Sequence, residues 1–401
     1  MTNRTLMVLG GSVYQVPVIE AAKRLKVRTV CIDMYAAPPA AALADVFVQC
    51  STLDVDAALK IARDHKVDGV IAAATDVAVY TQAIIAAQLG LPGVTPAAAR
   101  RLTDKSEFRK HTKSGVPDWC AVDPNTRPTK PLFGFPAILK PNRSSGGLGA
   151  LRVETLTELM AAWEAWDDQQ QAGGGVVEAW YEGVQLSAEG FLRDGRVESA
   201  VVTHRLCPAW PHVSTIGHRW PSGLSPAAEG AVLRAVEDML GACGVTTAPF
   251  DADIVYTGDG HCRVLEASPR TGGNRITDIF GTATGLDLIE YSIGWALGEA
   301  DSNGTHSVSP RANAAGIDIL KSDHPGIISY IDDGLESARH LSGIQAVEMD
   351  YPNGASVPAF TSSRSRLGTI LASAASIGAL ENLMSEARDR IGLVVTLDAP
   401  S

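Results

Sequence analysis

An α/β fold of more than one domain follows from three observations in this 401-residue chain. Strand-like and helix-like patterns alternate from Thr5 to about Val94, as in a doubly wound parallel sheet. A strand, a glycine-serine loop and a second strand follow in "GFPAILKPNRSSGGLGALRV". A long helix then leads into the hairpin "FDADIVYTGDGHCRVLEAS", whose charged residues sit inside apolar strands. With 45% hydrophobic and 20% charged residues, the chain has apolar material for two or three cores.

In order, "TLMVLGG" reads as a strand, "VPVIEAAKRL" as a helix, "RTVCID" as a strand and "VDAALKIARDH" as a helix. The strand "GVIAAA" and the helix "AVYTQAIIAAQLG" complete a first domain over residues 1–95. The proline-bearing link "LPGVTPAAARRLTDK" opens a second domain, 96–305, with a small antiparallel lobe at about 116–192. "AEGAVLRAVEDMLGAC" reads as a helix, and the hairpin turns at Gly258-Asp259-Gly260. "DDQQQAGGG" is polar enough for a mobile loop, and residues 306–401 form a smaller C-terminal lobe.

A net charge of −11 opposes non-specific binding to nucleic acid or anionic lipid, so neither is expected as a partner. Any anionic ligand must then meet a local basic site. The six cysteines have no C-x-x-C pair and no zinc spacing, which fits free thiols in a reducing compartment. The first residues carry no signal-like apolar run and no later stretch reaches membrane-spanning length, so a cytoplasmic location is expected.

The chemistry-bearing residues begin with the hairpin. An even-numbered connection sets Asp253 across from Val264, on the face of Glu266, with Asp251 and Ser268 on that face as well. Three carboxylates and a hydroxyl repel unless a cation sits among them, and oxygen donors favour Mg²⁺ or Mn²⁺ over zinc. Scattered surface acids remain the plainer alternative. Lys140 ends an apolar strand just before Gly146, Gly147 and Gly149. Such a loop can fold its N–H groups over phosphates while the lysine supplies charge. A flexible turn beside a surface lysine is the bland reading. In "VVEAWYEGVQLSAEGF", Glu178, the aromatics and Gln185 could hold a base and its sugar. Gly10-Gly11 with Asp33 has part of a dinucleotide fingerprint but lacks its last glycine, so a tight turn capping the first helix is expected instead.

Taken together, "TDKSEFRKHT", "PAILKPNRSSGGLG", "VVEAWYEGVQLS", "DADIVYTGDGHCRVLEASPRTGGNRI" and "SRSRLGTILASAASIGALENLMSEARDRI" resemble, in this order, the ATP-grasp superfamily. In particular they resemble its carboxylate-amine or L-amino-acid ligase branch. The resemblance implies a Rossmann-like preceding domain, an ATP-lid lobe, a central catalytic domain and a closing C-terminal lobe. It implies that Lys105, Lys140, Ser145, Gly146 and Gly147 contact ATP phosphates, that Glu178 and the backbone near Tyr181 hold adenine, and that Gln185 meets the ribose. Asp253, Glu266 and Ser268 would bind magnesium, with manganese an alternative, and Arg270 would steady the transferring phosphoryl group. Ser268 stands where the family commonly has Asn, and Gln185 where it has an acid.

The implied reaction activates a carboxylate as an acylphosphate and joins it to an amine, releasing ADP and phosphate. The expected partners are a small carboxylic acid and an amine or amino acid, and a homodimer is the oligomer to test. Trp210, His218 and Trp220 of "CPAWPHVSTIGHRWPSGL" are expected to border the acceptor pocket. Arg270 is placed near the activated carboxylate, and Arg275 is available for a second one. Two alternatives stand: a carboxylase or purine-pathway type of enzyme activating bicarbonate, and a nicotinamide-dependent oxidoreductase using the Gly10 turn.

Overall fold

The computed structural model describes residues 4–112, 115–208, 211–258, 260–299 and 310–397. The first strand, Thr5–Leu9, is apolar on both sides because both faces are covered. Its Leu6 and Val8 pack with Val18, Ile19 and Ala22 of the helix Val16–Arg24. Met7 and Leu9 point the other way, toward Ala58, Ala62 and Ala83 of the helices Val55–Asp64 and Val79–Leu89. Alternation along one strand therefore builds two cores. The strands Arg28–Asp33 and Gly69–Ile71 flank it in parallel, and Val46–Gln49 adds a fourth at the edge. That edge strand is absent from the sequence reading, because four residues are too few to show a period.

The small lobe is an antiparallel sheet ordered Trp119–Val122, Gly175–Ala179, Ala137–Pro141, Leu151–Val153. Val184–Arg193, which the sequence reading assigned to this lobe, instead pairs with Arg196–Leu206 and Ala248–Gly258. "DDQQQAGGG" is not a loop: Asp168–Gly173 is a helix closed by a capping box between Asp167 and Gln170. Two reciprocal cap hydrogen bonds satisfy donors that a polar run would otherwise leave to water.

The body is an eight-stranded sheet with antiparallel neighbours. It runs from His261–Ser268 and Ala248–Gly258, through Val184–Arg193, Arg196–Leu206 and Gly217–Trp220, to Ala314–Leu320, Gly368–Ala374 and Ile344–Met349. Strands from both sides of residue 305 thus share one sheet. The helix Pro226–Ala242 covers one face through Val232, Val236 and Leu240. Ile276–Thr284 covers the other through Ile279 and Phe280. The helix Leu288–Ala296 sends Ile293 and Ala296 into the core of the N-terminal sheet, which ties the first domain to the body. Among the described residues no helix is long and apolar enough to cross a membrane.

Candidate active site

The small lobe, the body and the N-terminal sheet enclose a cleft of about 410 Å³. The hairpin forms its floor, with a register that departs from the expected one. Asp253 lies opposite Glu266, not Val264, and Asp251 opposite Ser268. The displacement is two residues: the strands already pair off the expected register from the turn, where Gly258 meets His261, and Ile254 pairs with Val264, leaving Leu265 as a bulge residue. The four side chains still share one face, because directly opposed residues point the same way. Asp259 of the turn lies outside the described residues.

Burial alone would raise the Asp76 carboxyl, but Arg270 outweighs it, helped by Ser268, and holds it below the usual range. Arg270 Nε donates to Asp76 Oδ1 at 2.9 Å, and its Nη1 pairs with Asp251. Asp251 is nonetheless pushed up to about 6, by burial first and with Asp253 adding to it. Glu189 beside it is also raised, by burial and by Asp251, although Gly272 N donates to it at 2.9 Å.

Among the described residues no three acidic, histidine or cysteine side chains are grouped to hold a metal by themselves. The donor set is two carboxylates and a hydroxyl. Asp253 Oδ1 accepts from Ser187 Oγ at 2.6 Å, and Glu266 lies 3.7 Å from Lys105 Nζ. Ser268 Oγ is buried without a hydrogen bond of ordinary geometry. An oxygen-rich face of this kind fits a hard cation.

Lys140 lines the cleft and donates to Glu178 Oε2 at 2.8 Å. Burial lowers its basicity, which Glu178 partly restores. Glu178 is fully buried and also meets Arg109, so its carboxylate is spent on two cations. The Glu178 carboxylate thus faces these cations and does not line the cleft. Tyr181 does not line the cleft either; its hydroxyl donates to Asp118 at 2.9 Å. Trp180, Glu182 and Gln185 of the same segment do line it.

Lys105 opens the helix Lys105–His111 because Asp104 caps it, and its Nζ donates to Ser144 O at 2.8 Å. Ser145, Gly146 and Gly147 follow as the roof. Gly147 has φ +79°, and a Cβ there would stand 2.0 Å from Ser214 Oγ. Gly147→Ala should therefore lift this loop and raise the KM for ATP about tenfold, with Ser214→Gly in the same chain restoring part of it; a left-handed alanine adds ~1–2 kcal/mol of strain. Unchanged ATP kinetics in the single variant would contradict this seating of the loop.

His218 lines the cleft from the strand Gly217–Trp220, with Thr203 Oγ1 3.0 Å from its Nδ1. Burial pushes the imidazole down to about 4, only partly offset by Asp253. Above the unfolded value of roughly 6.5 both states are neutral; below it the unfolded chain gains a proton the native site refuses. Stability should fall between those two pH values, by about 3 kcal/mol relative to His218→Gln. Parallel denaturation curves of the two proteins from pH 7 to pH 4 would contradict it.

Trp220 does not line the cleft. It shares the face of His218 but lies two residues further along the strand, packed against the cluster of Phe191, Ile279 and Phe280, one pleat repeat away. Trp210 lies outside the described residues. Arg275 is bound to Asp278 and Glu348 and lines a neighbouring cavity of about 560 Å³. Its charge is already met, against the expectation of a free arginine for a second carboxylate. At the Gly10 turn, Asp33 accepts from Gly11 N at 2.7 Å and Tyr35 N at 2.9 Å, and a Cβ on Gly11 would stand 2.7 Å from Pro38. The turn is filled by its own chain.

Sequence reasoning missed Asp76, Arg109, Ser187 and Arg205, the last placing Nε 3.5 Å from Asp253. The only signal available for Asp76 was an acid just beyond the strand Gly69–Ile71, at the end of the parallel sheet where ligands bind.

This assembly of lysines, glycine roof and acidic hairpin over one cleft defines an ATP-grasp protein. A model of the ATP-grasp domain matches residues 133–278, and one of the L-amino acid ligase C-terminal domain 2 matches residues 319–396. The chain thus has an ATP-grasp domain followed by an L-amino acid ligase C-terminal domain 2. It is 32% identical over 176 residues to the formate-dependent phosphoribosylglycinamide formyltransferase of Synechococcus sp. (strain CC9605), covering 40% of this chain and 43% of that protein. To carnosine synthase 1 of Homo sapiens it is 25% identical over 288 residues, 66% of this chain and 34% of that one. The chain thus spans less than half the length of these curated relatives. The L-amino acid ligase of Bacillus licheniformis superposes with a TM-score of 0.83 at 20% identity, over 99% of both chains.

Proposed function

We propose that this protein is an ATP-dependent carboxylate-amine ligase that joins an amino acid to a second small molecule through an amide bond. The observation that carries the reading is the convergence of Lys105, Lys140, Asp253, Glu266, Ser268 and Arg270 on one cleft under a glycine roof. Lys105, Lys140 and the roof would hold the phosphates of ATP, beside Trp180 and Gln185. Asp253, Glu266 and Ser268 would hold magnesium, which when bound neutralises phosphate oxygens. Arg270, which lines the cleft and is held by Asp76 and Asp251, would steady the transferring phosphoryl group. The carboxylate oxygen attacks phosphorus and ADP leaves; the amine then attacks the acyl carbon and phosphate leaves. His218, held neutral by burial, would accept a hydrogen bond from the incoming amine rather than take its proton.

Positioning and charge stabilisation carry such chemistry without a protein nucleophile. The test is ADP release over pairs of amino acids and small carboxylic acids, with mass spectrometry of the product. Pair-dependent ADP and a condensed product are expected. A second reading, activation of a one-carbon acid, is favoured by the likeness to the formate-dependent formyltransferase. ADP release driven by labelled bicarbonate or formate, with no amino-acid condensation, would replace the first reading by the second.

A further inference from the structure

Arg109 touches both halves of this site from behind. It projects from the helix Lys105–His111 and is fully buried. Its Nε donates to Glu178 Oε1 at 3.0 Å, and its Nη2 to the carbonyl of Leu265 at 2.6 Å. Glu178 in turn holds Lys140. Leu265 is the bulge residue that brings Glu266 opposite Asp253. Nη1 is buried without a partner among the described residues, an arrangement that stability alone does not favour.

We propose that Arg109 is a positioning residue that sets the nucleotide lysine and the metal-binding hairpin together, by clamping Glu178 and the Leu265 carbonyl with one guanidinium. A bulge leaves a backbone group outside the ladder, and a planar fork can satisfy it while binding a carboxylate, as a single ammonium cannot. Lys140 and Glu266 lie 126 residues apart in sequence, and this clamp gives them a common reference point.

The proposal rests on the ligase reading for its consequences, so its test includes a measurement without nucleotide. Arg109→Lys and Arg109→Met are made in the full chain. Hydrogen exchange across 262–268 should rise about tenfold or more in both, with the N-terminal sheet unchanged. The magnesium concentration that half-saturates binding of a fluorescent ATP analogue should rise about 10- to 100-fold, the range for residues that orient metal ligands. Arg109→Lys should recover part of the metal-free nucleotide affinity, through Glu178, but not the protection of the hairpin. Glu178→Gln is the complementary variant: it should weaken nucleotide binding while the hairpin stays protected. That result would support the clamp even if neither Arg109 variant folds.

A lowered melting temperature with unchanged hairpin exchange and magnesium dependence would reduce Arg109 to a structural ion pair and overturn the proposal. Loosened hairpin exchange in a protein that never releases ADP would leave the clamp standing and remove the ligase reading instead.

Discussion

Arg270→Ala is expected to slow ADP release about a thousandfold, the lower range for an arginine that steadies a phosphoryl group in transfer. The same change leaves Asp76 and Asp251 buried without their cation, which should lower stability by about 3–5 kcal/mol. The two effects separate by experiment. Arg270→Lys keeps the charge but cannot span both carboxylates, so it should regain more stability than rate. If rate per folded molecule is unchanged in both variants, Arg270 only supports the fold.

Lys140→Met and Glu266→Gln should each slow ligation roughly a hundredfold, by different routes. Without Lys140, Glu178 keeps Arg109 as its partner, so the small lobe should fold and the loss should fall on ATP affinity. Glu266 is partly open to solvent, so its amide should be tolerated and the loss should fall on the magnesium requirement. Titrating each variant with ATP at fixed magnesium, and the reverse, checks the assignment. Identical dependences in the two variants would mean that the residues do not have distinct roles.

Much of the site was legible because its parts are local. Lys140 beside its glycines, and Glu266, Ser268 and Arg270 within five residues, show their chemistry in the order of the chain. Even the pairing error at Asp253 left Asp251, Asp253, Glu266 and Ser268 on one face, since the register there is displaced by two residues and only an odd shift exchanges faces. The ion pairs of Glu178 were hidden for the opposite reason. An acid after an apolar run looks available for a ligand, and nothing nearby reveals that Arg109, 69 residues earlier, has claimed it.

From the sequence by itself came the alternating first domain, the strand-loop-strand roof and the acidic hairpin, because side-chain periodicity and turn chemistry act over a few residues. Only the tertiary structure decided which charges meet. Asp76 reaches Arg270 across 194 residues, and Arg109 reaches the Leu265 carbonyl across 156. It also turned Arg275 toward Glu348 and packed Trp220 beneath a helix, away from the cleft. Ion pairs of this kind depend on burial and on distances of a few ångströms, and those are properties of the packed chain that no stretch of sequence carries.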